Sequence, residues 1–239
     1  PDCIKLDPTF ARSHVNLGVV YMNQGWLDSA IVEFRRAAKL APRDSEVLCN
    51  LGHALAHRGK LDEAESVLEE ALKTDERSAD VLNMLGSIKL EKGLGKEAEE
   101  FYKKSVEADK ENYGALANLG YMYLVRGELK EAVKNIEKAL EIDNSSAVIR
   151  ANLGRAYFLL GRFSDAFREA RKALQIDPET EDARLLIGDI YQQQGKRWKA
   201  VEEWKKVLSI NPANIEAREK INKIRKPEVE GKRRCNPSS

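Results

Sequence analysis

The chain has 239 residues, 42% hydrophobic and 33% charged, and 40 Lys+Arg against 39 Asp+Glu leave a formal net charge of +1. So small a net charge gives no global field to hold nucleic acid, and no run of about 18 apolar residues is present to cross a bilayer. The three cysteines (Cys3, Cys49, Cys235) are odd in number and share no CxxC spacing, which argues against a disulfide framework. The opening Pro1-Asp2-Cys3 carries no basic-then-apolar leader, so a reducing, cytoplasmic setting is the expectation.

Residues 3–8 (Cys-Ile-Lys-Leu-Asp-Pro) match 173–178 (Ala-Leu-Gln-Ile-Asp-Pro), so 1–10 is expected to be the end of a truncated repeat whose first helix is missing. From residue 11 a strict period begins. Gly18, Gly52, Gly86, Gly120, Gly154 and Gly188 are 34 residues apart, and Gly25, Gly59, Gly93, Gly127, Gly161 and Gly195 follow them by seven. These columns use 12 of the 15 glycines, leaving few to scatter. A third column is all alanine: Ala30, Ala64, Ala98, Ala132, Ala166 and Ala200. Six repeats therefore fill 11–44, 45–78, 79–112, 113–146, 147–180 and 181–214 without insertion.

Each column has a physical reading. The second glycine is expected to stop a helix in the left-handed conformation. The last position of each repeat holds Asp44, Ser78, Asn112, Ser146, Thr180 and Asn214, all strong helix N-caps. Each unit thus reads as helix A, a glycine turn, helix B and a capped link. Apolar residues at helical spacing, such as Leu17 and Tyr21 or Leu51 and Leu55, mark the buried stripe. Small residues at positions 8 and 20 let helices A and B approach, and Phe34, Leu68, Tyr102, Ile136 and Trp204 at position 24 are expected to fill the space between units. One unit cannot bury its own apolar face, so stacking is obligatory. The third repeat carries Lys89 for Tyr, Gly95 at the start of helix B and Ser105 for Ala, and is expected to be the softest joint.

Residues 215–226 follow the cap Asn214 and place Ala217, Ile221 and Ile224 on one stripe, as a polar-backed capping helix requires. Residues 227–239 have no apolar period and read as a disordered tail.

The sequence resembles the tetratricopeptide repeat family. Its pattern falls, in the first repeat, on His14, Leu17, Gly18, Tyr21, Ala30, Phe34, Ala37 and Pro42, with Pro178 and Pro212 at the same closing position later. The resemblance covers 204 of 239 residues and implies an all-α, right-handed superhelical solenoid of antiparallel helix pairs whose concave wall is built by the A helices.

Catalytic chemistry is absent from the pattern. No GxxxxGK[ST], GxSxG, HExxH or paired CxxC occurs, so no catalytic residue and no cofactor is assigned. Cys49, His53 and His57 share one helix face, but eight residues of helix span about 12 Å, and a catalytic zinc wants at least three protein ligands. No metal site is assigned.

What remains is the A-helix wall. Its sixth position reads Asn16, Asn50, Met84, Asn118, Asn152 and Leu186. A primary amide can both donate to and accept from a peptide backbone, whatever the side chain. With helices about 10 Å apart, such a rail meets about every third residue of an extended segment and holds roughly 12 residues. It is similar to the asparagine ladder of O-linked N-acetylglucosamine transferases. Asparagine is also an ordinary tolerated residue on an exposed helix face, and both readings stand at this point. Met84 interrupts the series and Leu186 ends it. His53, Tyr121 and Arg155 are the candidate specificity residues, flanked by Arg12, Glu46, Glu91 and Asp189. The carboxylate-clamp set of some family members is missing: position 5 of the first repeat is Val15, not Lys. The function expected is a scaffold binding an extended segment of a protein partner, without nucleic acid or membrane. The alternatives are the recognition arm of a larger enzyme, such as a glycosyltransferase, and a self-assembling scaffold that forms homo-oligomers through an N-terminal edge bearing Ile4 and Leu6.

Overall fold

In the computed structural model, which describes residues 10–225, thirteen α-helices follow one another and no strand occurs among the described residues. They are α1 (Ala11–Asn23), α2 (Leu27–Leu40), α3 (Ser45–His57), α4 (Leu61–Thr74), α5 (Ala79–Glu91), α6 (Gly95–Ala108), α7 (Tyr113–Arg126), α8 (Leu129–Ile142), α9 (Ala147–Leu159), α10 (Phe163–Ile176), α11 (Glu181–Gln193), α12 (Arg197–Ile210) and α13 (Ile215–Arg225). The chain forms two compact units divided between Met122 and Tyr123, inside α7. The fold is all-helical, a solenoid of helix pairs. Cys3, Ile4, Leu6, Cys235 and the tail after Arg225 lie outside the described residues.

The turns follow the glycine columns. All six second-column glycines have φ between 74° and 80°, a region closed to most L-residues. Each turn closes in the Schellman manner: Gly25 N–H donates to the Met22 carbonyl and Trp26 N–H to that of Tyr21, both at 2.9 Å. Four of the six expected N-caps bond as anticipated. Asp44, Asn112, Ser146 and Asn214 accept from backbone amides two or three residues on. Ser78 makes no capping bond, and the Thr180 hydroxyl instead donates back to the Asp177 carbonyl at 2.9 Å. A column the sequence reading passed over closes the other side of these links. Asp75, Asp109, Asp143, Asp177 and Asn211 each accept from the amide two residues later at 2.8–3.2 Å, the Asx turn for which these side chains are suited.

The first glycine column works by close approach. A Cβ on Gly18 would meet Phe34 at 2.5 Å, one on Gly52 would meet Leu68 at 2.5 Å, and one on Gly86 would meet Tyr102 at 2.6 Å. On Gly188 it would meet Trp204 at 2.2 Å. Phe34, Leu68, Tyr102 and Trp204 therefore lie on the glycine of their own helix pair. They thus fill space inside the pair that the missing Cβ creates, while Trp204 also packs against the helix that follows its pair.

In the first unit, Phe34, Leu55, Leu68, Leu85 and Ile88 belong to one buried cluster. Two of the irregular residues of 79–112, Lys89 and Ser105, find partners. Lys89 Nζ reaches Glu65 at 2.7 Å and Glu97 at 2.8 Å, and these bonds hold its pKa well above the usual lysine range. Ser105, fully buried, donates to the Ala79 carbonyl at 2.7 Å, and Tyr102 donates to Ser87 at 3.1 Å. Gly95, the first residue of α6, has open space around it.

In the second unit, Ile136, Leu186 and Ile190 are buried with Ala166, Ala170 and Ala173. A further cluster joins Trp204 and Val207 of α12 to Ala217 and Ile221 of α13, so α13 covers the apolar end of that unit. The Trp204 indole also donates to the Leu185 carbonyl at 3.3 Å.

Two opposite glycine substitutions separate these roles in urea denaturation. Gly188→Ala drives a methyl into the fully buried Trp204 ring and is expected to cost about 1–3 kcal/mol. Gly95→Ala only removes unfolded-state freedom and is expected to stabilise by about 0.4–1 kcal/mol.

Candidate functional site

In the first unit the candidate residues lie on α1 (Asn16), α3 (Asn50 and His53) and α7 (Asn118 and Tyr121). Two cavities of about 540 Å³ each lie in this unit. Asn50 and His53 belong to their lining, and the other three candidates line neither. One is lined by Val19, Met22 and Asn23 of α1, by Leu27 and Phe34 of α2, and by Asn50 of α3. The other is lined by Asn83, Met84, Ser87, Ile88 and Glu91 of α5. His53 and His57 line both, their rings edge to face with centroids 4.6 Å apart. Burial, and then the neighbouring His57, lower the His53 pKa from its ordinary value.

The asparagines are not equivalent. Asn50 donates to the Glu46 carbonyl of its own helix at 2.9 Å, and Asn118 donates to the Asn83 side chain at 2.9 Å. Each keeps a second N–H and lone pairs for a ligand. Asn16 is exposed and Asn152 half-buried. Tyr121 is 44% exposed. Met84, at the interruption, sits with its sulfur 3.8 Å from the Cys49 thiol. Burial first, then Asp80 and Glu46, push that thiol up to about 11. Among the described residues no group of three or more His, Cys, Asp or Glu side chains is arranged to hold a metal ion.

In the second unit the wall is more self-satisfied. Arg155 bonds the buried Asp189 at 3.0 Å, Lys220 of α13 reaches the other oxygen of Asp189 at 2.6 Å, and Arg155 also lies 5.7 Å from the Phe158 ring. Leu186 is 2% exposed, and its position has a specific cause. The fifth repeat has Ala170 where the others carry a larger side chain over the glycine. There the space beside Gly154 is taken by Leu186, whose Cδ2 would lie 2.8 Å from an added Cβ. The asparagine series ends because this side chain is needed as core.

Another set of polar contacts escaped the sequence reading. His14 bonds Glu33 at 2.7 Å, Arg150 bonds Glu169 at 3.2 Å, and Arg184 lies 3.7 Å from Glu203. Each pair joins repeat positions 4 and 23. Glu33 and Glu169 are buried and take further partners, Arg36 at 2.6 Å and Lys172 at 2.9 Å. The signal was present: His or Arg stands at position 4 only where Glu stands nineteen residues on, and the other repeats have Leu48, Leu82 and Leu116 there.

The geometry defines a helix-pair repeat protein with a grooved wall on its first helices. A sequence model described as the cilia and flagella-associated protein 70 C-terminal domain matches residues 5–158. Models of the tetratricopeptide repeat match 154–195 and 181–214. The chain belongs to the tetratricopeptide repeat family, in the form described by that C-terminal domain. No curated protein matches it in sequence. Among solved structures it is similar to a chain of the APC/C hetero-tetramer Cut9-Hcn1, with TM-score 0.86 and 20% identity over 93% of this chain and 44% of that one. It thus spans less than half of that relative. It is also similar to Pseudomonas aeruginosa pilF, with TM-score 0.77 and 19% identity over 90% of this chain and 97% of that one. YrrB, described as a TPR protein with an unusual peptide-binding site, gives TM-score 0.61 and 24% identity over 78% of this chain and 96% of that one. No helix among the described residues is long and apolar enough to cross a membrane.

Two outcomes follow. Leu186→Asn, which extends the amide series, is expected to destabilise by about 2–5 kcal/mol, and adding Ala170→Leu should recover at least about 1 kcal/mol through their shared space; urea midpoints of the two single variants and the double variant give the coupling. With Cys3 and Cys235 replaced by Ser, Cys49 should react with iodoacetamide at pH 8 about 10-fold more slowly than a thiol of pKa 9.0, because its pKa of about 11 leaves far less thiolate, partly offset by the greater nucleophilicity of the more basic sulfur.

Proposed function

We propose that this chain is a non-catalytic scaffold whose A-helix wall binds an extended segment of a partner protein. Membership of the tetratricopeptide repeat family supports a protein-interaction role. The single observation carrying the groove reading is the pair of cavities flanking His53 and His57, concave and part-apolar as binding sites are. In this reading the modules are the six repeats of 11–214 followed by the capping helix 215–226. Asn16, Asn50 and Asn118 pair with the ligand backbone in the first unit and Asn152 does so in the second. His53 and Tyr121 select side chains. Arg155, already engaged by Asp189, contributes shape more than free charge.

A degenerate library of 12-residue peptides passed over the immobilised chain tests this. The wild type should retain peptide, and Asn118→Ala/Asn152→Ala should lower total retention about tenfold, as loss of one or two backbone hydrogen bonds implies, with circular dichroism unchanged. No retention by the wild type, or equal retention by the variant, overturns the groove reading.

A further inference from the structure

The two cavities beside the histidine pair differ in charge. The α3–α5 cavity has an apolar floor of Met84 and Ile88, and its lining includes one carboxylate, Glu91. Glu91 is exposed, and among the described residues it makes no ion pair. The neighbouring lysines are committed elsewhere, Lys89 to Glu65 and Glu97, and Lys92 to Asp62 and Glu65. Glu91 is also the last residue of α5, at the negative end of the helix dipole. The other cavity has Val19, Met22, Leu27 and Phe34 and no carboxylate in its lining.

From this contrast we infer that the bound segment carries a lysine or arginine whose head meets Glu91, together with a large apolar side chain that enters the Val19–Met22 cavity. The inference rests on the groove reading above. A basic side chain suits the first cavity because its methylene stem can lie on Met84 and Ile88 while its charge stays at the wet rim. An acidic residue there would face both Glu91 and the helix terminus. The spacing follows from the helices. The cavities lie on either side of α3, about one helix spacing (~10 Å) apart. A polyproline-II-like segment returns to the same face every three residues, about 9 Å along. The recognition element is therefore an apolar and a basic residue separated by two others.

Twelve-residue peptides, degenerate except for Leu fixed at position 5, read the preference directly when Arg, Lys, Ala or Glu is fixed at positions 2, 3, 7 or 8. On the wild type, Arg and Lys at position 2 or 8 should be retained at least fivefold over Glu, and positions 3 and 7 should discriminate less. Glu91→Gln should reduce that preference below twofold while total retention stays within a factor of two. Glu100→Gln, exposed on α6, should leave it intact. Equal retention of Arg and Glu peptides, a preference for Glu, or a basic preference surviving in Glu91→Gln overturns the inference while leaving the groove reading in place. Absence of retention for every peptide on the wild type overturns both.

Discussion

The structure depends on one steric fact: at position 8 of a helix pair there is no side chain. An α-helix carrying Cβ atoms on its contact face holds its neighbour 8–10 Å away. Removing one lets a ring or a Leu from the partner helix descend onto the backbone, as Phe34 does on Gly18 and Trp204 on Gly188. That contact fixes how the two helices of a pair lie. The left-handed glycine seven residues on then reverses the chain within a single turn. With both glycines in place the pair is a defined object with one apolar flank, and a flank of that kind is hidden only by another copy.

Much of this was legible from residue spacing, because the signals were backbone signals. Positive-φ glycines and N-caps depend on local sequence, and they recur at a fixed interval. Side-chain partnerships were harder. The position-4/position-23 pairs lie nineteen residues apart, a separation that becomes a contact only after the chain has turned back. Their charge correlation is visible in the bare sequence only once that fold is assumed. Leu186 was legible as a departure from the asparagine series, but its cause was not. The cause is the small volume of Ala170, which belongs to a different column. The contact of the bulky position-24 residues with their own pair's glycine was hidden for a related reason: periodicity identifies a buried stripe without saying which neighbours it touches.

The candidate site divides the same way. The wall could be placed on the A helices from register alone, and the histidine pair was legible as a four-residue spacing on one face. The engagement of the wall residues was not. Arg155 was legible as a wall residue, yet its charge is spent on a buried carboxylate that α13 also holds through Lys220. Asn50 and Asn118 likewise spend one donor internally. Such commitments set how much of a polar surface is left for a ligand, because a group already paired gains little by changing partner. By that measure the first unit, with open cavities and an unpaired Glu91, has more to offer than the second.

The two kinds of compensation also differ in what they allow when modules are copied. A His14–Glu33 or Arg150–Glu169 pair lies wholly within one 34-residue segment, so duplicating or transplanting that segment carries both partners along. The Ala170–Leu186 arrangement straddles the junction after Thr180. A crossover there would hand one descendant a void and the other a surplus isobutyl group in a filled interior. The order of the fifth and sixth modules is thus frozen by volume, while the electrostatically matched segments keep their freedom to be shuffled.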